Sequence, residues 1–124
     1  MSTRRLAALL LCAFAATAHA APTITGIAAS SKNTARGQAI TVTVKGDDLE
    51  KGICALRITY GDGTSTLRHM DWGKNVRFPI TVKKTYDKVG KYSISVAGVK
   101  SGNVLQCLGK ARTAILVTEP PVAP

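Results

Sequence analysis

The groups able to do covalent or metal-centred chemistry are few in this chain, and their spacing limits what they can do. Cys54 and Cys107 lie far apart and outside any C-x-x-C pair, the arrangement that tunes a thiol for exchange. Beyond residue 20 there is one histidine, His69, beside Met70 and Asp71, and no Gly-x-Ser-x-Gly. A Ser-His-Asp triad therefore has no support in the sequence, and His69 reads as a surface histidine. Zinc needs three or four clustered ligands, and no such cluster occurs. Asp47, Asp48 and Glu50 crowd one short segment, and Asp62 sits between Gly61 and Gly63. Calcium loops instead space their carboxylates at alternating positions. The acidic segment reads as a turn or solvated loop, with a weak cation site as the alternative. No catalytic residue, cofactor or metal is expected, so the chain is not read as an enzyme.

Positive charge is the stronger chemical signal. The 124 residues carry 17 Lys and Arg against 7 Asp and Glu, a formal +10. Lys83, Lys84, Lys88 and Lys91 bracket Tyr86, while Arg68, Lys74 and Arg77 flank Trp72. Either group could form a patch that attracts anionic polymers in a salt-dependent way. Acidic glycans, lipopolysaccharide phosphates, anionic membrane surfaces and extracellular DNA all fit that description. The competing reading is solubility, since lysines at strand edges and outward positions keep sheets from joining. Trp72, the single tryptophan, lies among turn formers. It is either packed over the end of the fold or exposed as an anchor for a sugar ring, a base or a partner. With one Trp, three Tyr and two Phe, an extended stacking platform for single strands is not expected, and neither is specific nucleic acid recognition.

The segments that must position these residues begin after a leader. Residues 1–20 have the three parts of a secretory signal: Arg4 and Arg5, an apolar run over residues 6–18, and the small-x-small site Ala18-His19-Ala20. The run is shorter than the roughly 20 apolar residues of a membrane span, and none follows it. Lipidation at Cys12 is disfavoured, because Leu11 is not small and the apolar run continues past the cysteine. Cleavage would start the mature chain at Ala21 and leave 15 basic against 7 acidic side chains, a formal +8. Export would also place Cys54 and Cys107 in an oxidising compartment, periplasmic or extracellular, where they should form a disulfide. Closing a loop of that length contributes about 4 kcal/mol by chain entropy.

Beyond the leader, alternation at period two replaces helical periodicity. Residues 23–29 form a weak first strand. Ile40, Val42 and Val44 alternate with Thr41, Thr43 and Lys45, and Cys54, Leu56, Ile58 and Tyr60 with Ala55, Arg57 and Thr59. One face of each strand is apolar and the other wet. Val76, Phe78, Ile80 and Val82 repeat the pattern, with Pro79 tolerable only on an edge or at a bulge. Tyr92, Ile94 and Val96 follow, and residues 66–70 suggest a short extra strand. Residues 111–117 are apolar at nearly every position, which predicts a strand covered on both sides. Glycine- and aspartate-bearing turns separate these runs. About seven short strands so spaced predict an all-β, two-sheet antiparallel sandwich over residues 21–118. The Pro-rich tail, residues 119–124, is expected to be extended.

Tyr60-Gly61-Asp62-Gly63-Thr64-Ser65, followed by Lys84-Thr85-Tyr86-Asp87-Lys88-Val89-Gly90-Lys91-Tyr92-Ser93-Ile94-Ser95-Val96, resembles a PKD domain, mainly over residues 54–118. That family has an aromatic residue before a Gly-Asp-Gly turn, then His-Thr-Tyr, a glycine turn and an alternating strand. Here Ile58-Thr59-Tyr60 replaces the usual Trp-x-Phe, and Lys84 stands where the histidine would be. The resemblance implies an immunoglobulin-like sandwich with extracellular interaction roles and no catalytic residues, the Cys54–Cys107 link being an addition. The residues themselves give the same segments structural roles. Gly61-Asp62-Gly63 makes a tight strand connection, and Tyr86, ahead of the Gly90 turn, looks like a tyrosine corner with its hydroxyl returned to nearby backbone.

The function expected is an exported noncatalytic binding module, contacting an anionic envelope or extracellular component or a protein partner through its basic residues. Two alternatives remain: a small periplasmic enzyme inhibitor using residues 71–75, or a structural subunit adding a strand through an exposed edge.

Overall fold

The structure is a computed structural model that describes residues 21–48 and 52–122. The leader assigned to residues 1–20, Glu50 of the acidic segment, and Ala123 and Pro124 of the tail lie outside the described residues. Among those described, eight strands follow in order: β1 (Thr23–Ala29), β2 (Asn33–Ala35), β3 (Ala39–Asp47), β4 (Ile53–Thr59), β5 (Ser65–Asp71), β6 (Ile80–Thr85), β7 (Gly90–Gly98) and β8 (Lys110–Thr118). They form a three-stranded sheet, β1-β3-β6, and a five-stranded sheet, β2-β8-β7-β4-β5. A single 3-10 turn, Trp72–Lys74, follows β5. No helix among the described residues is long and apolar enough to cross a membrane.

Alternation explains the core. Ile40, Val42 and Val44 of β3 and Val82 of β6 meet Cys54, Leu56 and Ile58 of β4, Ile94 and Val96 of β7, and Ile115 and Val117 of β8. Burying each large aliphatic side chain contributes about 1.5–3 kcal/mol. Tyr60, Met70, Phe78 and Tyr86 complete the packing from strand ends and connections.

Three expectations need correction. The sandwich has an eighth strand, β2, and it pairs with β8 in parallel. With Asn, Thr and Ala and one buried side chain, Thr34, it is too short to show a period. The strand expected over residues 76–82 begins only at Ile80. Pro79 cannot donate to a ladder; upstream of it Val76 exchanges backbone hydrogen bonds with Asp71 across the 3-10 turn, and Phe78 packs inward outside any strand. Finally, β8 is covered on one face only: Ile115 and Val117 are buried while Arg112 and Ala114 are exposed. Its apolar outward residues are small or sit near the β2 edge.

The Cys54–Cys107 disulfide is formed. Cys107 belongs to the β7–β8 connection, which runs beside the end of β4: Ala55 N–H donates to Leu105 C=O at 2.9 Å and Cys107 N–H to Ala55 C=O at 3.0 Å. The same connection reaches the other sheet, where Ile24 N–H donates to Leu108 C=O at 2.7 Å. It closes one end of the sandwich, and the disulfide fixes it there.

Candidate functional site

The Tyr60–Thr64 turn and the end of β6 meet in a cross-sheet cluster. Gly61 and Gly63 have φ of +85° and +89°, and a Cβ on Gly61 would come within 2.8 Å of Ser93 C=O. The turn therefore lies against β7 only because it has no side chain there. Tyr86, 1% exposed, donates its hydroxyl to Tyr60 C=O at 2.7 Å. Its acceptor is across the sandwich, not in the adjacent backbone. Tyr86 also stacks on Tyr92 with ring centroids 4.2 Å apart. Gly90, which opens β7, pairs with Val117 of β8.

Lys84 completes this cluster. Its Nζ donates to Asp62 Oδ2 at 2.6 Å and Thr64 Oγ1 at 2.8 Å, and lies 4.9 Å and 5.0 Å from the Tyr60 and Tyr86 ring centroids. Burial alone would raise the Asp62 pKa. The hydrogen bonds from Lys84, then those from Thr64, outweigh it and bring the value from 3.8 down to about 2. Burial first, then the Asp62 charge, push the Tyr86 phenol well above its ordinary range. These groups hold the sheets together.

The lysines expected to act as one patch are thus separated. Lys84 is withdrawn into the cluster, its side chain 12% exposed. Lys83, next to it on β6, is exposed and carried by the three-stranded sheet. Lys88 follows in the β6–β7 connection, and Lys91 lies on the five-stranded sheet. At the other end, the Arg77 guanidinium sits 5.2 Å from the Trp72 ring centroid, and Trp72 is half-buried. Arg68 and Lys74 are exposed nearby in sequence, on β5 and in the 3-10 turn.

The acidic and histidine positions are also placed. Asp48 Oδ2 accepts the Phe78 N–H at 3.1 Å, fixing the approach to β6. Among the described residues no group of three or more His, Cys, Asp or Glu could hold a metal ion. His69 Nε2 and Ser101 Oγ are 3.0 Å apart. The pair stabilises the outer side of β5 against the β7–β8 connection.

Another cationic surface emerges only from the strand register. On the outer side of the five-stranded sheet, Arg57 of β4 pairs with Ala97 of β7, and Ala97 with Lys110 of β8. The next outward row is Thr59, Ser95 and Arg112. Farther along, Ser93 pairs with Ala114 and Lys91 with Leu116. No acidic residue occurs in β2, β4, β7 or β8. Ser95, Ala97, Lys110 and Arg112 line an open hollow of about 490 Å³. A second hollow of about 250 Å³, lined by Lys32, Lys91, Ala114 and Leu116, continues along β8. Arg57 is held by a 3.0 Å hydrogen bond from Nη1 to Ser65 Oγ. Lys32, Arg57 and the Lys110/Arg112 pair are far apart in sequence, so no run of charge marks this surface.

No protein-family model matches the chain, and no curated protein matches it. Among solved structures, it is similar to the PKD domain of the human VPS10 domain-containing receptor SorCS2, with TM-score 0.58 and 13% identity over 84% of this chain and 80% of that one. It is also similar to the CARDB domain of a Pyrococcus furiosus protein, solved in complex with di-metal ions, with TM-score 0.52 and 14% identity over 80% of this chain and 94% of that one. The fold is a PKD-like, immunoglobulin-like β-sandwich.

Proposed function

We propose that this protein is an exported, noncatalytic binding module that contacts an anionic envelope or extracellular component through its basic surface. The observation that carries the reading is the outer face of the five-stranded sheet, where Arg57, Lys91, Lys110 and Arg112 project with no carboxylate on the strands that bear them. A charge of one sign on an open surface raises the rate of encounter with polyanions and gives binding that salt weakens. The Cys54–Cys107 disulfide supports export, because such bonds persist in oxidising compartments. Likeness to interaction domains of the PKD and CARDB kinds fits a module without chemistry of its own.

Retention of the purified protein on heparin-agarose tests the reading. Retention at low salt and release as salt rises are expected, with elution moving to lower salt when Arg57, Lys110 and Arg112 are reversed in charge. Passage through the column unretained at low salt would overturn it.

A further inference from the structure

The geometry points to a narrower ligand class: a linear acidic polysaccharide lying along β8 on the outer face of the five-stranded sheet. This inference rests on the anion-binding reading above and adds the track and the occupant.

The two hollows follow one another along β8, the first lined by Lys110, Ala111 and Arg112 and the second by Ala114, Ile115 and Leu116. At about 3.4 Å per residue, that track is about 20 Å long. Cations stand along it at intervals. Arg57 and Lys110 flank Ala97 in one cross-strand row, two strand spacings or about 10 Å apart. Arg112 is in the next row, and Lys91 and Lys32 border the far hollow.

Between the cations the floor is small and hydroxylated. Thr59, Ser93 and Ser95 offer neutral donors and acceptors, and Ala97 and Ala114 leave room for a chain to lie close. A polymer alternating carboxylate or sulfate groups with hydroxyls matches that alternation of charged and neutral polar groups. Other polyanions match it less well. Unpaired nucleic acid is held by aromatic side chains on which bases stack, and no Phe, Trp or Tyr takes an outward position on β4, β7 or β8. Duplex DNA is read by a helix or ribbon entering a groove, whereas this face is a sheet floor of short side chains. Binding at a lipid interface uses large apolar or aromatic groups, and Leu116 alone is such a residue along the track.

Binding can be measured by calorimetry at low salt with size-defined heparin fragments, unsulfated polygalacturonate fragments, a DNA duplex and anionic phospholipid vesicles. The two saccharide series separate sulfate from carboxylate sources. Affinity for at least one saccharide series should rise with fragment length until the track is filled and exceed affinity for duplex or vesicles. Arg57→Glu/Arg112→Glu should weaken it by about tenfold or more, equivalent to about 1.4 kcal/mol. Lys83→Glu/Lys88→Glu, an equal change in net charge elsewhere, should weaken it by less than about threefold. Lys110→Gln/Arg112→Gln gives a milder variant if the double reversal does not fold, and should also weaken binding more than the Lys83/Lys88 pair. Equal loss in track and control variants would overturn the track while leaving general anion binding intact. Tighter binding of duplex or vesicles would overturn the saccharide assignment. Absence of binding to every polyanion would overturn both this inference and the reading beneath it.

Discussion

Lys84 shows how a residue's surroundings decide its use. It belongs to a basic run, yet its ammonium group spans from β6 of one sheet to the turn after β4 of the other, where it meets Asp62, Thr64 and two tyrosine rings. The pH dependence follows from the Asp62 value. Folded, the carboxyl has a pKa of about 2, below its ordinary 3.8, so the unfolded chain binds its proton first. The stabilisation is complete above about pH 4 and is lost as pH falls towards 2. Following the Asp62 carboxyl carbon by NMR should give a midpoint near 2, moving upwards in Lys84→Met. An unshifted midpoint in that variant would remove Lys84 as the chief opposing influence. The sequence marked Asp62, Tyr86 and the glycine turn as structural, because their residue types are tied to tight turns and buried hydroxyls. It could not separate Lys84 from Lys83, since the side chain that receives Nζ comes from a turn on the other sheet.

At the scale of elements, period-two alternation was sufficient where a strand has one buried face. Strands β3, β4 and β7 were legible for that reason. Pattern reading failed where another constraint overrode the alternation: Pro79 delays β6, β2 is three residues long, and the small outward side chains of β8 imitate a fully covered strand. The β7–β8 connection carries only turn-forming residues such as Ser101-Gly102-Asn103 as a local signal, although it closes one end of the sandwich. Its docking depends on Gly98, where an added Cβ would lie 1.8 Å from Cys107 C=O. Gly98→Ala must therefore displace the disulfide-bearing segment and should cost about 1–3 kcal/mol. Gly26→Ala in β1, with nothing within 4 Å of the added atom, should change stability by no more than about 0.5 kcal/mol. Urea unfolding of the two variants checks the contrast, and equal stabilities would mean that the segment does not need that close approach.

Across the whole molecule, charge is sorted by the topology. The order β2-β8-β7-β4-β5 places Lys110 and Arg112 two strands from Arg57, although more than half of the second sheet's sequence lies between them. Net charge was visible from composition, but its concentration on one face depends on register, and a shift of one residue would turn every one of these side chains inward. That is why the runs around Tyr86 and Trp72 stood out in the sequence while this surface did not. The central claim is that anionic ligands engage the outer face of the five-stranded sheet. Its most direct test is the pattern of backbone amide shifts when a heparin fragment is titrated into the isotope-labelled protein. Saturable shifts should concentrate at Arg57, Thr59, Ser93, Ser95, Ala97, Lys110, Arg112 and Ala114. Shifts confined to Lys83 and Lys88, or to the loop around Trp72, would contradict the account.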